Sequence, residues 1–208
     1  MEHRESMGTE NTLRATLRRD GIELDEHAIE RLVQFVDLLS AWNSIHNLTG
    51  AKSPEEIVAQ IVDSIYPITF LLHRPASLLD IGTGAGFPGL VLAAVWPRTD
   101  SILCEPLRKR AAFLRYAAME MGLERVTVDT RRIQELTPRP FELITSRAVT
   151  ETSRLLEWCR PFVDEKTHLL FYKGEQVTHE TQTISHCSYT IVRRGQRRYL
   201  WIKEPNRC

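Results

Sequence analysis

Residues 78–89 read Leu-Leu-Asp-Ile-Gly-Thr-Gly-Ala-Gly-Phe-Pro-Gly, an apolar run that closes on the carboxylate of Asp80 and opens into a loop holding Gly82, Gly84, Gly86 and Gly89. Glycine reaches positive φ without strain and has no Cβ, so a flat ligand can lie against the main-chain N–H groups where the chain enters the next helix. Residues 84–89 satisfy the dinucleotide string G-x-G-x-x-G. Their context points elsewhere. Asp80 falls at a strand end just before the loop, where a carboxylate repels a pyrophosphate and attracts an ammonium group. The next strand, 101–105, ends in a second carboxylate, Glu105, positioned to accept both hydroxyls of a ribose. Acid, glycine loop, helix, strand, acid therefore reads as a site for S-adenosylmethionine, which has the ammonium and no phosphate. A dinucleotide site and a turn that is merely tight packing are the competing readings of these residues.

The rest of the chain bounds the protein's class. With 208 residues and 42% hydrophobic content, it suits one domain with an appendage and a real core. Its longest apolar stretches, such as 90–96, are far too short for a membrane span, and the polar N-terminus lacks a signal-peptide core. A cytoplasmic protein with no membrane partner is expected. Cys104, Cys159, Cys187 and Cys208 show no metal-ligand spacing and read as thiols rather than disulfides or zinc ligands. A formal net charge of zero argues against coating nucleic acid through bulk electrostatics. Yet 22 of the 27 basic residues are arginine, clustered at Arg18-Arg19, Arg108-Lys109-Arg110, Arg131-Arg132, Arg193-Arg194 and Arg197-Arg198. The guanidinium pairs with phosphate through a rigid fork and stacks on bases, which slightly favours an RNA-facing surface; solvated faces with local carboxylate partners are the usual reading of any single cluster.

Two regimes follow one another along the chain. Residues 1–75 read as an N-terminal helical extension. Leu24, Asp25 and Ile29 have the spacing of a hydrophobic staple around an N-cap, and Ile29, Leu32, Val33, Val36 and Leu39 share one face of a helix running to about Asn43. Ser53-Pro54-Glu55-Glu56 is a capping box with proline at the first helical position, opening a helix that Pro67 bends or ends. Residues 76–208 alternate strands at 77–81, 101–105, 125–129, 141–146 and 167–172 with helices at 87–95, 107–121 and 151–160 and a short turn near 132–136. The expected architecture is α/β, a doubly wound, Rossmann-like parallel sheet with helices on both faces. Strands at 189–192 and 199–203 flank Arg193-Arg194-Gly195-Gln196 as a final hairpin. Such an antiparallel ending resembles the seven-stranded sheet of adenosylmethionine-dependent methyltransferases more than a dinucleotide-binding sheet.

Ligands of open α/β sheets bind beyond the carboxyl ends of the strands. That rule gathers Asp80, Glu105, the 130–134 turn, Ser146-Arg147 and Lys173-Gly174. Ile133 and Gln134 are placed to flank an adenine, and Arg147 to hold the cofactor's carboxylate or a nucleotide phosphate; surface ion pairing is the competing reading for Arg147 and Lys173. No nucleophile and base pair is apparent, and no catalytic side chain is assigned. Methyl transfer from a sulfonium tolerates this, since placing acceptor and methyl in line is most of the catalysis.

Trp42-Asn43, Asn47-Leu48-Thr49, Asp63-Ser64, the Asp80–Gly89 loop, Lys109-Arg110 with Phe113-Leu114, Ser146-Arg147-Ala148, Lys173-Gly174 and Arg198-Tyr199-Leu200 before Lys203 resemble, in that order, a known family. It is the bacterial small-subunit ribosomal RNA guanine-N7 methyltransferases, also called glucose-inhibited division protein B, and the resemblance covers most of the chain. It implies methylation of N7 of one guanosine in the decoding-region loop of 16S rRNA, with the rRNA or a small-subunit precursor as partner of a monomer. By the same resemblance Gly82, Phe87, Ile133, Gln134 and Arg147 fall on cofactor contacts, alongside Asp80, Gly84, Gly86 and Glu105 from the residues themselves. Asn47, Arg147, Lys173 and Arg197 are the candidates for holding RNA. The chain departs from the family where Gln60-Ile61 replace a frequent Arg-His pair and where Gln134 replaces a frequent Glu. A methyltransferase for another RNA or a small molecule, and a non-catalytic RNA-binding protein of the same fold, are the alternatives.

Overall fold

Seven strands form one mixed sheet in the computed structural model, which describes residues 2–71, 73–184 and 186–208. The strands are β1 (Ser77–Ile81), β2 (Asp100–Cys104), β3 (Val126–Asp129), β4 (Leu143–Arg147), β5 (His168–Lys173), β6 (Tyr189–Arg194) and β7 (Arg197–Ile202). Their order is β3-β2-β1-β4-β5-β7-β6. The first five run parallel, whereas β7 is antiparallel to both β5 and β6. The order reverses between β1 and β4, the switch point at which open α/β sheets hold ligands.

Successive side chains of a strand face opposite sides, and here both sides are dry. Leu78, Leu143, Leu170, Tyr172, Tyr199 and Trp201 face one layer, Leu79, Ile81, Ile144, Leu169, Phe171, Leu200 and Ile202 the other, and all are buried. Helices α6 (Thr152–Cys159) and α7 (Val177–Glu180) cover the second side, through Leu155, Cys159 and Val177. On the first side, α2 (Glu26–His46), α3 (Pro54–Ile65), α4 (Gly89–Val95) and α5 (Arg108–Glu120) share one hydrophobic cluster, joined by Leu13 and Leu17 of α1 (Glu2–Arg19). Among the described residues the N-terminal helices thus share one cluster with α4 and α5.

The local signals act as expected at the helix starts. Asp25 accepts the N–H of Ala28 at 2.7 Å, and Ser53 accepts that of Glu56 while the Glu56 carboxylate accepts from Lys52 N–H. Most boundaries shift by a residue or two, the hairpin loop narrowing from 193–196 to Gly195-Gln196, and three of the shifts have a visible cause. The second helix runs a turn beyond Asn43 to His46, since Asn47 takes φ +50° and caps it by donating its N–H to Asn43 O. Residues 87 and 88 precede α4 because Asp80 captures the N–H of Gly89. The β4 ladder begins at Leu143, because Phe141 gives its N–H to Phe162 O.

Buried polar ties fasten α3 and the end of α1 to the hairpin side of the sheet. Tyr172 donates to Ser64 O at 2.7 Å, and Tyr199 donates to Asp63 O and Oδ1 at 2.9 and 3.0 Å. Asp63 also receives Arg197 Nε at 2.9 Å, and Asp20 pairs with Arg194 at 2.6 Å. Cys187 and Cys208, expected as thiols, are paired as a disulfide with Cα atoms 4.8 Å apart, because the turn at Pro205–Arg207 folds the chain back against residue 187. Cys104 and Cys159 are buried thiols whose pKa values burial raises. Among the described residues no helix is long and apolar enough to cross a membrane.

Candidate active site

At the carboxyl ends of β1, β2 and β4 lies a cleft of about 450 Å³. Its floor is the glycine loop from Gly82 to Ala85 with Phe87; Glu105, Pro106 and Arg110 form one wall, Arg147 to Val149 a second, and Leu48, Thr49 and Gly50 a third. The strand-end rule gathers three of these segments, after β1, β2 and β4, and the turn after α2 supplies the fourth.

The loop's shape follows from its hydrogen bonds. Gly82 and Gly84 take φ +69° and +61°, in the left-handed region where other residues are strained. Gly82 and Thr83 both donate to Cys104 O, and Gly84 donates to Glu105 Oε2 at 3.0 Å. The Cβ direction of Gly84 is open, whereas a Cβ on Gly82 would come within 2.6 Å of Val149 Cγ2. Gly86, at φ +105°, faces Leu90 and Phe35 in the core rather than the cleft. Gly89 matters for packing: a Cβ there would lie 2.5 Å from Leu103 and 2.6 Å from Asp80.

The two carboxylates are held in different ways. Asp80 is fully buried, with Oδ2 accepting Gly89 N–H and Oδ1 accepting the Thr145 hydroxyl, each at 2.8 Å. No oxygen is left on the surface to meet an ammonium, because the start of α4 and β4 have taken both. Burial pushes its pKa up, opposed by these hydrogen bonds. Its work is to hold the loop against the helix. Glu105 borders the cleft and is tied through Oε2 to Gly84 and through Oε1 to Leu107 N–H at 2.9 Å. Each oxygen retains a second lone pair for a further donor.

Arg147 ends β4 with its guanidinium 4.7 Å from the centroid of the Phe87 ring. Its hydrogen bond runs from Nη2 to Gln60 Oε1 of α3, at 3.0 Å. Burial lowers its pKa, against the pull of Asp63, but an arginine so placed stays charged. Ile133 sits in the core beside Leu79 and Ile81, and Gln134 is exposed beyond β3; neither borders this cleft. Asn47 is exposed and serves as the cap of α2.

Lys173 departs furthest from the expected RNA contact. It is 7% exposed, and its ammonium is bonded to Thr150 O at 2.8 Å and Glu180 Oε2 at 2.6 Å. Arg197 is paired with Asp63 yet borders a larger polar groove with Arg19, Asp20, Gln60 and Arg194. Sequence reasoning had Asn43 only within the family motif Trp42-Asn43 and gave it no role; its side chain donates to Ala51 O and accepts Thr49 N–H, both at 2.9 Å, and so fixes the 48–50 wall. That reasoning missed Gln60, Val149 and Glu180. The family resemblance had marked position 60 as a departure, and that was the available signal for Gln60.

Sheet order, the single antiparallel insertion at β7, the glycine loop and the acid after β2 define the class: the fold of adenosylmethionine-dependent methyltransferases. A methyltransferase from Geobacter sulfurreducens aligns with a TM-score of 0.60 at 14% identity, over 92% of this chain and 96% of that one. An MtNAS mutant solved with S-adenosylmethionine aligns at 0.58 and 15%, over 81% and 72%. Sequence then narrows the class. The family model described as GidB, rRNA small subunit methyltransferase G, matches residues 28–195. The ribosomal RNA small subunit methyltransferase G of Wolinella succinogenes is 47% identical over 191 residues, 92% of this chain and 97% of that protein. That of Aliarcobacter butzleri is 38% identical over 92% and 98%. The chain belongs to the rRNA small subunit methyltransferase G family.

Proposed function

We propose that the protein transfers the methyl group of S-adenosylmethionine to N7 of a guanosine in the decoding region of 16S rRNA. The observation that carries this reading, beside the family, is the chemistry of the cleft walls. The ionisable groups bordering the cleft, among the described residues, are Glu105, Arg110 and Arg147. Two are guanidiniums and the third already accepts two backbone N–H groups, so none is suited to remove a proton from an acceptor. N7 of neutral guanine needs none removed, because it carries a free lone pair.

The residues fit the cofactor. The open face of Gly84 admits a flat ligand against the backbone, and Glu105 has lone pairs left for ribose hydroxyls. Arg147 makes one side-chain hydrogen bond among the described residues, leaving guanidinium N–H groups for the cofactor's carboxylate, and Gln60 orients it. Asp80 and Gly86 act at one remove by shaping the loop, with Gly82 and Phe87 completing the floor. When bound, S-adenosylmethionine supplies a methyl group already activated by its sulfonium. The residues then orient the acceptor and keep water away, and the positive charge ends on the purine. Arg19, Arg194 and Arg197 along the polar groove hold the RNA backbone, as their forked geometry suits.

Mass mapping of 16S rRNA from a deletion strain tests the proposal. Loss of one N7-methylguanosine, restored by the intact gene, is expected, and an unchanged methylation map overturns it. Incorporation assays on free nucleosides, naked rRNA and assembled subunits separate an rRNA substrate from a small molecule.

A further inference from the structure

Lys173 and Glu180 lie outside the cleft walls described above, yet one oxygen of Glu180 collects three donors. Oε2 accepts the Lys173 ammonium at 2.6 Å, the Thr152 hydroxyl at 2.6 Å and the Thr152 N–H at 2.8 Å. Lys173 spends another N–H on Thr150 O at 2.8 Å. All of these bonds end on or beside the short segment that joins β4 to α6. Thr152 is fully buried and Lys173 nearly so, and the low dielectric around them strengthens bonds that water would weaken. Burial works to raise the Glu180 pKa, but Lys173 and Thr152 outweigh it and hold the carboxyl below its usual range.

The segment needs holding. Ala148 has φ +54°, a left-handed conformation costly for any residue with a Cβ. Such a bend persists where the surroundings over-determine it. Its effect is to swing Val149, two residues beyond Arg147, back so that Cγ2 rests on Gly82 in the floor of the cleft.

We propose that Lys173 and Glu180 are positioning residues for cofactor binding: their shared bonds to Thr150 and Thr152 lock residues 148–152 in the bend that seats Val149 on Gly82. The pair thereby sets the height of one cleft wall over the glycine loop. It does so from the end of neighbouring β5, outside the lining of the cleft. This inference rests on the reading of the cleft as the adenosylmethionine site.

The test uses the whole chain, with calorimetric titration of S-adenosylhomocysteine and amide hydrogen exchange. Lys173→Met and Glu180→Gln are each expected to weaken binding about ten-fold, the scale of one lost charge-assisted hydrogen bond. Exchange at 148–152 should quicken in both while that of Leu155 holds steady. In a Val149→Ala background, where the contact with Gly82 is already gone, the same substitutions should cost no more than about two-fold, the signature of residues acting through one another. Unchanged affinity in the parent chain overturns the proposal, as does a full ten-fold penalty repeated in Val149→Ala. Unchanged affinity with weakened rRNA binding also overturns it and returns Lys173 to direct RNA contact. If either charge variant fails to fold, Thr152→Val removes one donor with little change in shape, and about three-fold weaker binding is expected of it. Were the parent chain not to bind S-adenosylhomocysteine, the cofactor reading would fall. The exchange data would still decide whether the pair holds the segment.

Discussion

Arg147 and Lys173 end adjacent parallel strands on the same edge of the sheet, and the protein uses their charges in opposite ways. Lys173 is answered from within by the Glu180 carboxylate and the Thr150 carbonyl. Arg147 is half-buried against Phe87 and finds a neutral amide, Gln60, rather than a carboxylate. Burying a cation is costly unless hydrogen bonds and opposite charge answer it. At Lys173 the protein supplies that answer itself. At Arg147 it supplies a platform and an orienting amide, which suits an anionic group brought by a ligand. Position along the sheet edge is therefore a weaker guide to function than whether the partners are internal.

The widest break in this comparison should come from removing the internal answer. Lys173→Met leaves the Glu180 carboxylate without its cation and is expected to cost about 2 kcal/mol of stability, tempered because Glu180 is a quarter exposed. Urea unfolding measures it; a loss under about 0.5 kcal/mol would mean that the pair is slack. Arg147→Met keeps apolar contact with Phe87 and should cost less stability than Lys173→Met while weakening S-adenosylhomocysteine binding about twenty-fold, as for a lost charged hydrogen bond. Equal affinity in variant and parent would remove Arg147 from the cofactor's site.

Gln60→Glu makes the β4 cation resemble the β5 one by handing it a carboxylate. About five-fold weaker cofactor binding with stability held or improved is expected, the scale of an added ion pair competing with the ligand. Tighter binding in the titration would show that Gln60 is not a neutral orienter. The smallest effect is on acid stability. Because the Glu180 pKa is depressed from its usual 4.5, its contribution is present above that value and is lost as pH falls through the lower folded value. The raised pKa of buried Asp80 has the opposite sign, so only a difference between variants isolates Glu180. Glu180→Gln should flatten the loss of stability below pH 4.5 relative to the parent chain, and parallel curves would contradict this.

The sequence made the sheet legible because each strand is a short apolar run between turn signals; β1 falls on the expected 77–81 and the other strands within a few residues. The glycine loop and Glu105 were legible for the same reason, since loop chemistry is local. The fates of the charges were not. Gln60 is 87 residues from Arg147, and nothing in a periodicity brings the two together. Glu180 sits on a four-residue helix in a stretch with no clear pattern, so the partner that buries Lys173 was invisible while Lys173 itself stood out. Asp80 was recognised as important but assigned outward. Only the backbone path shows that Gly89 N–H and the Thr145 hydroxyl reach its oxygens first. The arginine clusters sort in the same way: Arg131 pairs with Asp129, Arg194 and Arg197 pair with Asp20 and Asp63 while still bordering the polar groove, and Arg110 lines the cleft.

The ties from the first helices to the hairpin also bear on the order of events during synthesis. Asp20 waits for Arg194, 174 residues later, and Asp63 waits for Arg197, 134 residues later. Contacts so distant along the chain close late, because loop entropy must be overcome before they contribute. The helices made first therefore spend translation with their apolar faces awaiting a sheet that is not yet made. The last hairpin to emerge is the part that fastens the first helices in place.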